Sequence, residues 1–108
     1  MNKKIKAKWL RALRSGKFKQ GKGTLCQKTD AGYEFCCLGV LAHIAIDEPW
    51  RRIGGRFTFK GNEGYTTIFG DEVAQKFGLS VMAHNSLTRM NDDGQSFSEI
   101  ANWIEKHL

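Results

Sequence analysis

Three groups of side chains in this sequence are of types that do chemistry. They are a run of glycines and lysines, Gly16-Lys17-Phe18-Lys19-Gln20-Gly21-Lys22-Gly23-Thr24; two adjoining thiols, Cys36 and Cys37; and three arginines near mid-chain, Arg51, Arg52 and Arg56. The first seven residues of the run fit the G-x-x-x-x-G-K spacing of a phosphate-binding loop. Two features break the match. Gly23 stands where a Ser or Thr hydroxyl is needed for the metal, and the context reads helix, loop, strand instead of strand, loop, helix. With no helix N-terminus behind it the loop lacks the dipole that makes the motif work, which excludes a nucleotide triphosphatase. A looser reading survives: flexible glycines expose backbone N–H groups beside lysines, and such a concavity attracts phosphate. The plain alternative is a basic connector.

Cys36 or Cys37, at the start of a helix, could carry a lowered thiol pKa and act as a nucleophile with His43 or His84 as base. Both lie in the most apolar run of the chain, Phe35 to Ile46, where a thiol behaves as a small hydrophobe. His43 falls six positions beyond Cys37, off the same helix face. A metal site could draw on Cys26, Cys36, Cys37, His43 and His84, but no pair has the C-x-x-C or H-x-x-x-H spacing of structural zinc, so no metal and no cofactor is expected. Among aromatic residues, Trp9, Phe18 and Tyr33 could stack on bases between the lysines. Trp9 lies on the apolar side of its helix and reads as core, which leaves Phe18, between Lys17 and Lys19, as the ring free to stack.

Charge is placed unevenly. Residues 1 to 28 hold ten Lys and Arg and no acid, whereas the rest of the chain holds seven bases against eleven acids, for a net +6. A basic front on a mildly acidic body points to an anionic partner, with a merely solvated helix face as the alternative. At 108 residues the chain is one domain, residues 1–108, and 41% hydrophobic with 26% charged residues is ordinary for a globular protein. Met1 to Lys8 is charged and lacks the apolar segment of a signal peptide, and three cysteines are an odd number, so free thiols in a reducing cytosol are expected. The apolar run is too short for a membrane span.

Elements must position these groups. Ile5, Trp9, Ala12 and Leu13 predict an amphipathic helix over 3–15, capped by Gly16. Residues 24–28 and 33–36 predict a hairpin about Thr29-Asp30-Ala31-Gly32, and 56–60 with 65–68 a second about Gly61-Asn62-Glu63-Gly64. Trp50 to Gly55 reads as a mobile connection between them. From Cys37 a helix apolar almost all round is central, Gly39 marks a close approach of another backbone, and Pro49 follows its end. Short helices follow from Asp71 to Phe77 and from Asn85 or Ser86 to about Gly94. Ser96 with Glu99 forms a capping box for the last helix, striped by Phe97, Ile100, Ala101, Ile104 and Leu108. Leu87 to Ile104 has the outline of a helix-turn-helix, but Glu99 and Glu105 disfavour DNA and a packed helical hairpin is the better account, with Asn91, Asp92 and Asp93 as turn residues. The fold class expected is α+β, a small antiparallel sheet of two hairpins packed by a central helix and by N- and C-terminal helices.

Three blocks carry a resemblance. Trp9 with Ala12 to Phe18 and Gln20 to Gly23, the Phe35-Cys36-Cys37-Leu38-Gly39-Val40-Leu41 block, and Leu87 with Met90 to Asp92 and Gly94 through Glu105 resemble a family of small proteins of tailed bacteriophages and prophages. The likeness spans the domain. It implies a phage setting within a host cell and a shared fold, and carries over no catalytic residue. In that setting small proteins often trap a nucleotide signal or occlude a host protein.

The reading that results is non-enzymatic binding of an anionic, phosphate-bearing ligand, most simply a nucleotide, in a counter-defence role. Lys17, Lys19, Lys22 and the backbone of Gly21 to Gly23 hold phosphate, Phe18 stacks, and Arg51, Arg52 or Arg56 close the site if the middle loop folds over it. The alternatives are an inhibitor that occludes a host protein through its basic face, and a thiol enzyme using Cys36 or Cys37. Non-specific nucleic acid and a homo-oligomer stay open as further partners.

Overall fold

A computed structural model describes residues 1–108. Its helices form where the sequence supplies caps. Helix α1 (Lys3–Arg14) starts at Asn2, whose side-chain oxygen accepts from the amides of Lys4 (2.8 Å) and Ile5 (3.1 Å), satisfying donors that no helical carbonyl can reach. It ends at Ser15, with Gly16 beyond in the left-handed region at φ 75°. Its buried side is Trp9 and Leu13, and the Trp9 indole N–H donates to the Cys37 carbonyl at 2.9 Å. Helix α2 (Cys37–Ala45) is the central element, with every residue from Cys37 to Ala42 buried. Gly39 is the point of closest approach: a Cβ there would overlap the Leu25 carbonyl oxygen and lie 2.7 Å from its carbon.

Helix α3 (Asp71–Lys76) carries two acids in its first turn and is followed by Gly78 at φ 72°. Helix α4 (Val81–Asp92) begins earlier than Asn85, because Ser80 caps it by accepting from the Ala83 amide at 3.1 Å. Val81 and Met82 are 71% and 81% exposed, so its first turn has no apolar stripe to read. Helix α5 (Phe97–His107) has the expected capping box, Ser96 accepting from Glu99 at 3.2 Å and Glu99 from the Ser96 amide at 3.1 Å. Helices α4 and α5 pack on each other as a hairpin, and α1 packs on α2 and α5.

The fold is α+β, with a five-stranded mixed sheet in the order β1-β3-β2-β5-β4. Strands β2 (Cys26–Thr29) and β3 (Gly32–Phe35) form the expected first hairpin. The second hairpin is displaced from its expected place: β4 (Arg51–Ile53) pairs with β5 (Arg56–Thr58) across Gly54-Gly55, so the supposed mobile connection is itself a strand and turn. Gly54 at φ 64° supplies the conformation a two-residue hairpin turn requires. Residues 61–68 form no strand. They fold about Asn62, which is 1% exposed, accepts from the Gly70 amide at 2.7 Å and donates to the carbonyls of Tyr65 (3.3 Å) and Ile68 (3.1 Å). The Gly/Lys run contributes β1 (Lys19–Gln20), parallel to β3, which makes the sheet mixed and not purely antiparallel.

Register sorts the side chains into two faces. Lys19, Glu34, Gln27, Arg56 and Ile53 form one cross-strand row, and Gln20, Phe35, Cys26, Phe57 and Arg52 form the adjacent row on the opposite face. The second row faces α2, where the Phe35 ring meets His43 at 5.3 Å.

His84 couples this packing to pH. Its Nε2 accepts from the Phe69 amide at 3.2 Å, and its ring stacks on Phe69. Burial lowers its pKa below the ordinary 6.5, against smaller opposing effects of Asn85 and Asp71. The unfolded chain therefore takes up this proton at higher pH than the folded one, so stability is complete above pH 6.5 and falls as pH drops from there through the lowered folded value. His84→Gln, which keeps an acceptor for Phe69 but does not titrate, is expected to flatten the melting temperature between about pH 7 and 5. A variant that retains the wild-type slope would assign the pH dependence to other groups.

Candidate functional site

The Gly/Lys loop is held by the rest of the protein and is not an open cradle. The Gly21 amide donates to Phe35 O at 2.8 Å, its carbonyl accepts from Asn91 Nδ2 at 2.8 Å, and a Cβ on it would lie 2.9 Å from Glu34 Cβ. The Gly23 amide donates to Asp92 Oδ1 at 3.1 Å, so an internal carboxylate sits where a phosphate was expected. Two of the donors read from the sequence are thus already satisfied. Lys19 pairs with Glu34 at 3.5 Å, and the Lys22 ammonium lies against Gly94. Lys17 is exposed and in no ion pair.

Phe18 does not stand free between the lysines. Its ring packs edge-on to Phe35 at 5.4 Å and to His43 at 5.5 Å, at the margin of the core. The arginines do not close over the loop either. Arg51 and Arg52 lie on β4, the edge opposite β1, and Arg56 lies three strands from Lys19 along the outer row, about 14 Å by strand spacing. Arg51 reaches Glu63 at 4.0 Å, and Arg52 Nε donates to Gly54 O at 2.9 Å. The largest cleft, about 670 Å³, opens between the end of α2 and α3, where Asp47, Glu48 and Glu72 face Lys60 and Lys76. No residue of the loop lines it.

Asn91, Gln20 and Asp92 position the loop. Asn91, 1% exposed, accepts at Oδ1 from Gln20 Nε2 (3.0 Å) and from the Cys37 amide (3.1 Å), the first orphan donor of α2. Gln20 also donates to Gln95 O at 2.7 Å and accepts from the Phe97 amide at 3.1 Å. The residues read as turn formers after α4 thus clamp β1, α2 and α5 together. Nothing local in sequence announces this, because the partners lie 54 to 77 positions away.

All three thiols are buried and free. Burial pushes Cys36 up to about 11, against the weaker pull of the Gly39 amide, which donates to its sulfur at 3.4 Å. Burial likewise raises Cys26 to about 11 and Cys37 well above its ordinary value. The Cys37 thiol donates to Leu87 O at 3.6 Å. The two histidines have other partners, His43 Nδ1 accepting from the Trp50 indole at 3.1 Å and His84 from Phe69. Neither histidine is hydrogen-bonded to a thiol.

What the loop loses, α1 supplies. Arg14 is committed to Glu105 (3.3 Å) and Asn102 (2.9 Å), and Lys6 donates to the Glu105 carbonyl at 3.3 Å. Lys3, Lys4, Lys8 and Arg11 are exposed and in no ion pair. Lys3 and Lys4 occupy a first turn that carries no acid. That placement was readable from the sequence, which holds no acid before Asp30. No curated protein and no solved structure matches this chain. All of it, residues 1–108, matches the family described as a domain of unknown function, DUF8296, and the chain belongs to that family.

Proposed function

We propose that the protein is a non-enzymatic binding module for an anionic, phosphate-bearing ligand, engaged by the exposed face of α1 with Lys17 and Lys22 of the loop that follows. One observation carries this reading: the first turns of α1 are charged against the electrostatics of their own helix, whereas Arg11 and Arg14 suit its last turn. The positive end of the dipole repels Lys3 and Lys4, and Lys4 with Lys8 and Lys8 with Arg11 are like-charge neighbours at i,i+4 and i,i+3. A helix shaped only for stability would carry acids there. Each such pair costs about 0.2–0.5 kcal/mol, and an external anion offsets that cost.

These cations lie on a convex helix surface, which suits an extended polyanion better than a mononucleotide that needs a cleft. The same shape suits occlusion of an acidic host protein, the second reading. The raised thiol pKa values support a role without covalent chemistry. A phage counter-defence role rests on the resemblance of the Trp9, Phe35 to Leu41 and Leu87 to Glu105 blocks.

The test is a Lys4→Gln, Lys8→Gln, Arg11→Gln variant titrated with inorganic polyphosphate. Wild-type affinity should fall steeply between about 50 and 200 mM salt, and the variant should bind at least about tenfold more weakly. Its melting temperature should hold or rise by roughly a few degrees, since repulsion has been removed. Unchanged binding in the variant would sink the assignment to α1. Failure of the wild type to bind polyphosphate would favour the host-protein reading.

A further inference from the structure

The outer aromatic residues of the sheet face that packs on α2 form a second contact surface, beyond the cations of α1. Tyr33 is 51% exposed and packs edge-on to buried Phe57 at 5.7 Å. Trp50 and Phe18 are half-buried and His43 is exposed, and all three surround buried Phe35, at 6.3, 5.4 and 5.3 Å. Trp50 also meets Phe59 edge-on at 5.6 Å, while its indole N–H is satisfied by His43. Each outer ring is thus held in place by a buried phenylalanine. A surface so fixed pays little ordering entropy on binding.

Three cations border these rings in register or in sequence. Lys28 is directly opposite Tyr33 in the β2–β3 register, Arg52 is opposite Phe57 in β4–β5, and Lys17 precedes Phe18. None of the three is in an ion pair, and the Arg52 bond to Gly54 uses only Nε. Glu48, beside a hollow of about 190 Å³ between His43 and Trp50, bounds the strip on the α2 side. Rings that are open on one side, spaced with unpaired positive charge, match a chain of alternating bases and phosphates whose bases are not already stacked in a duplex.

We propose that single-stranded nucleic acid binds across this strip, its bases stacked on Tyr33, Trp50, Phe18 and His43 and its phosphates on Lys28, Arg52 and Lys17. The proposal rests on the phosphate-binding reading above and gives that ligand its class. It places Arg52, Phe18 and Lys17 in a site on the α2 face of the sheet and not around the Gly/Lys loop.

The test titrates the full chain with oligothymidylate and, separately, with inorganic polyphosphate of matched charge, following tryptophan fluorescence. Trp9 is fully buried and Trp103 stacks on His107 of α5, so quenching by a base reports Trp50, which Trp50→Phe checks by abolishing the signal. Tyr33→Leu, at a half-exposed position, should weaken oligothymidylate by roughly tenfold while leaving polyphosphate affinity unchanged. Equal affinity for both polymers, with no quenching and no effect of Tyr33→Leu, would overturn the stacking surface yet leave the phosphate reading standing. Binding of neither polymer would remove both. Tighter binding of a duplex of the same length would also overturn the proposal.

Discussion

Gly39→Ala is expected to cost more than about 4 kcal/mol and to leave little folded protein at 37 °C, although alanine is the better helix former by about 1 kcal/mol. The sign follows from what the methyl meets. The added Cβ would overlap the Leu25 carbonyl oxygen and approach its carbon and Cα to 2.7 and 3.2 Å, all backbone atoms that no rotamer change can move aside. Leu25 is itself fixed, fully buried and with its amide donating to Thr66 O at 2.8 Å. Relief therefore requires α2 to withdraw from the strand side of the core, opening voids along Leu38, Leu41 and Ala42. Against a typical total of about 5–15 kcal/mol, such a loss decides whether the chain folds. Urea titration of Gly39→Ala beside Gly39→Ser measures it. Midpoints within experimental error of the wild type would mean that α2 does not approach Leu25 this closely.

The contrast between what could and could not be read from the chain follows the range of the interactions. Helix α5 was legible because its capping box lies within four residues, and β2–β3 because its turn lies between its own strands. Gly39 was legible because a glycine inside an otherwise apolar helix has few purposes other than close approach. The second hairpin was misplaced although Gly54-Gly55 is a turn signal. Its strands are three residues each, and Arg51 and Arg52 disguise β4 as loop. Strand β1 could not be read at all: two residues have no periodicity, and Lys19 and Gln20 find their partners 15 residues on.

The same division governs the candidate site. The charge excess of residues 1 to 28 is a property of composition and was visible. Which of those charges are free is a property of packing: Arg14, Lys6 and Lys19 have partners in α5 and β3, whereas Lys3, Lys4, Lys8 and Arg11 have none. Glycine amides in a loop look available until the acceptors that claim them, Phe35 O and Asp92, arrive from elsewhere in the fold. The aromatic strip was legible only in part, since Phe18 and Tyr33 were read as rings able to stack while Trp50 and His43 were not. Tyr33, Trp50 and His43 come from three separate elements, and only sheet register and the end of α2 bring them to one face.

Asn91→Leu is expected to destabilise by about 3–5 kcal/mol, the second large loss. Leucine keeps the branching at Cγ but is the bulkier side chain, so some overpacking adds to a chiefly polar cost: the change orphans the Cys37 amide, the Gly21 carbonyl and one Gln20 N–H, at about 1–3 kcal/mol for each buried group left unpaired. Asn91→Asp separates the terms. It keeps an acceptor for Cys37 and Gln20 but sets a carboxylate oxygen against Gly21 O, where a donor stood at 2.8 Å. A protonated carboxyl restores that donor, so the folded variant holds its proton more tightly than the unfolded chain, and its stability rises as pH falls. Wild type gives the opposite trend below pH 6.5 through His84. Chemical denaturation of wild type and Asn91→Asp at about pH 5 and pH 7.5 reads the two signs, and Asn91→Leu at about pH 7.5 reads the polar loss. An Asn91→Asp variant that gains no stability relative to wild type between about pH 7.5 and pH 5 would mean that the Gly21 contact does not clamp the loop, and that β1 is held by its ladder with β3 alone.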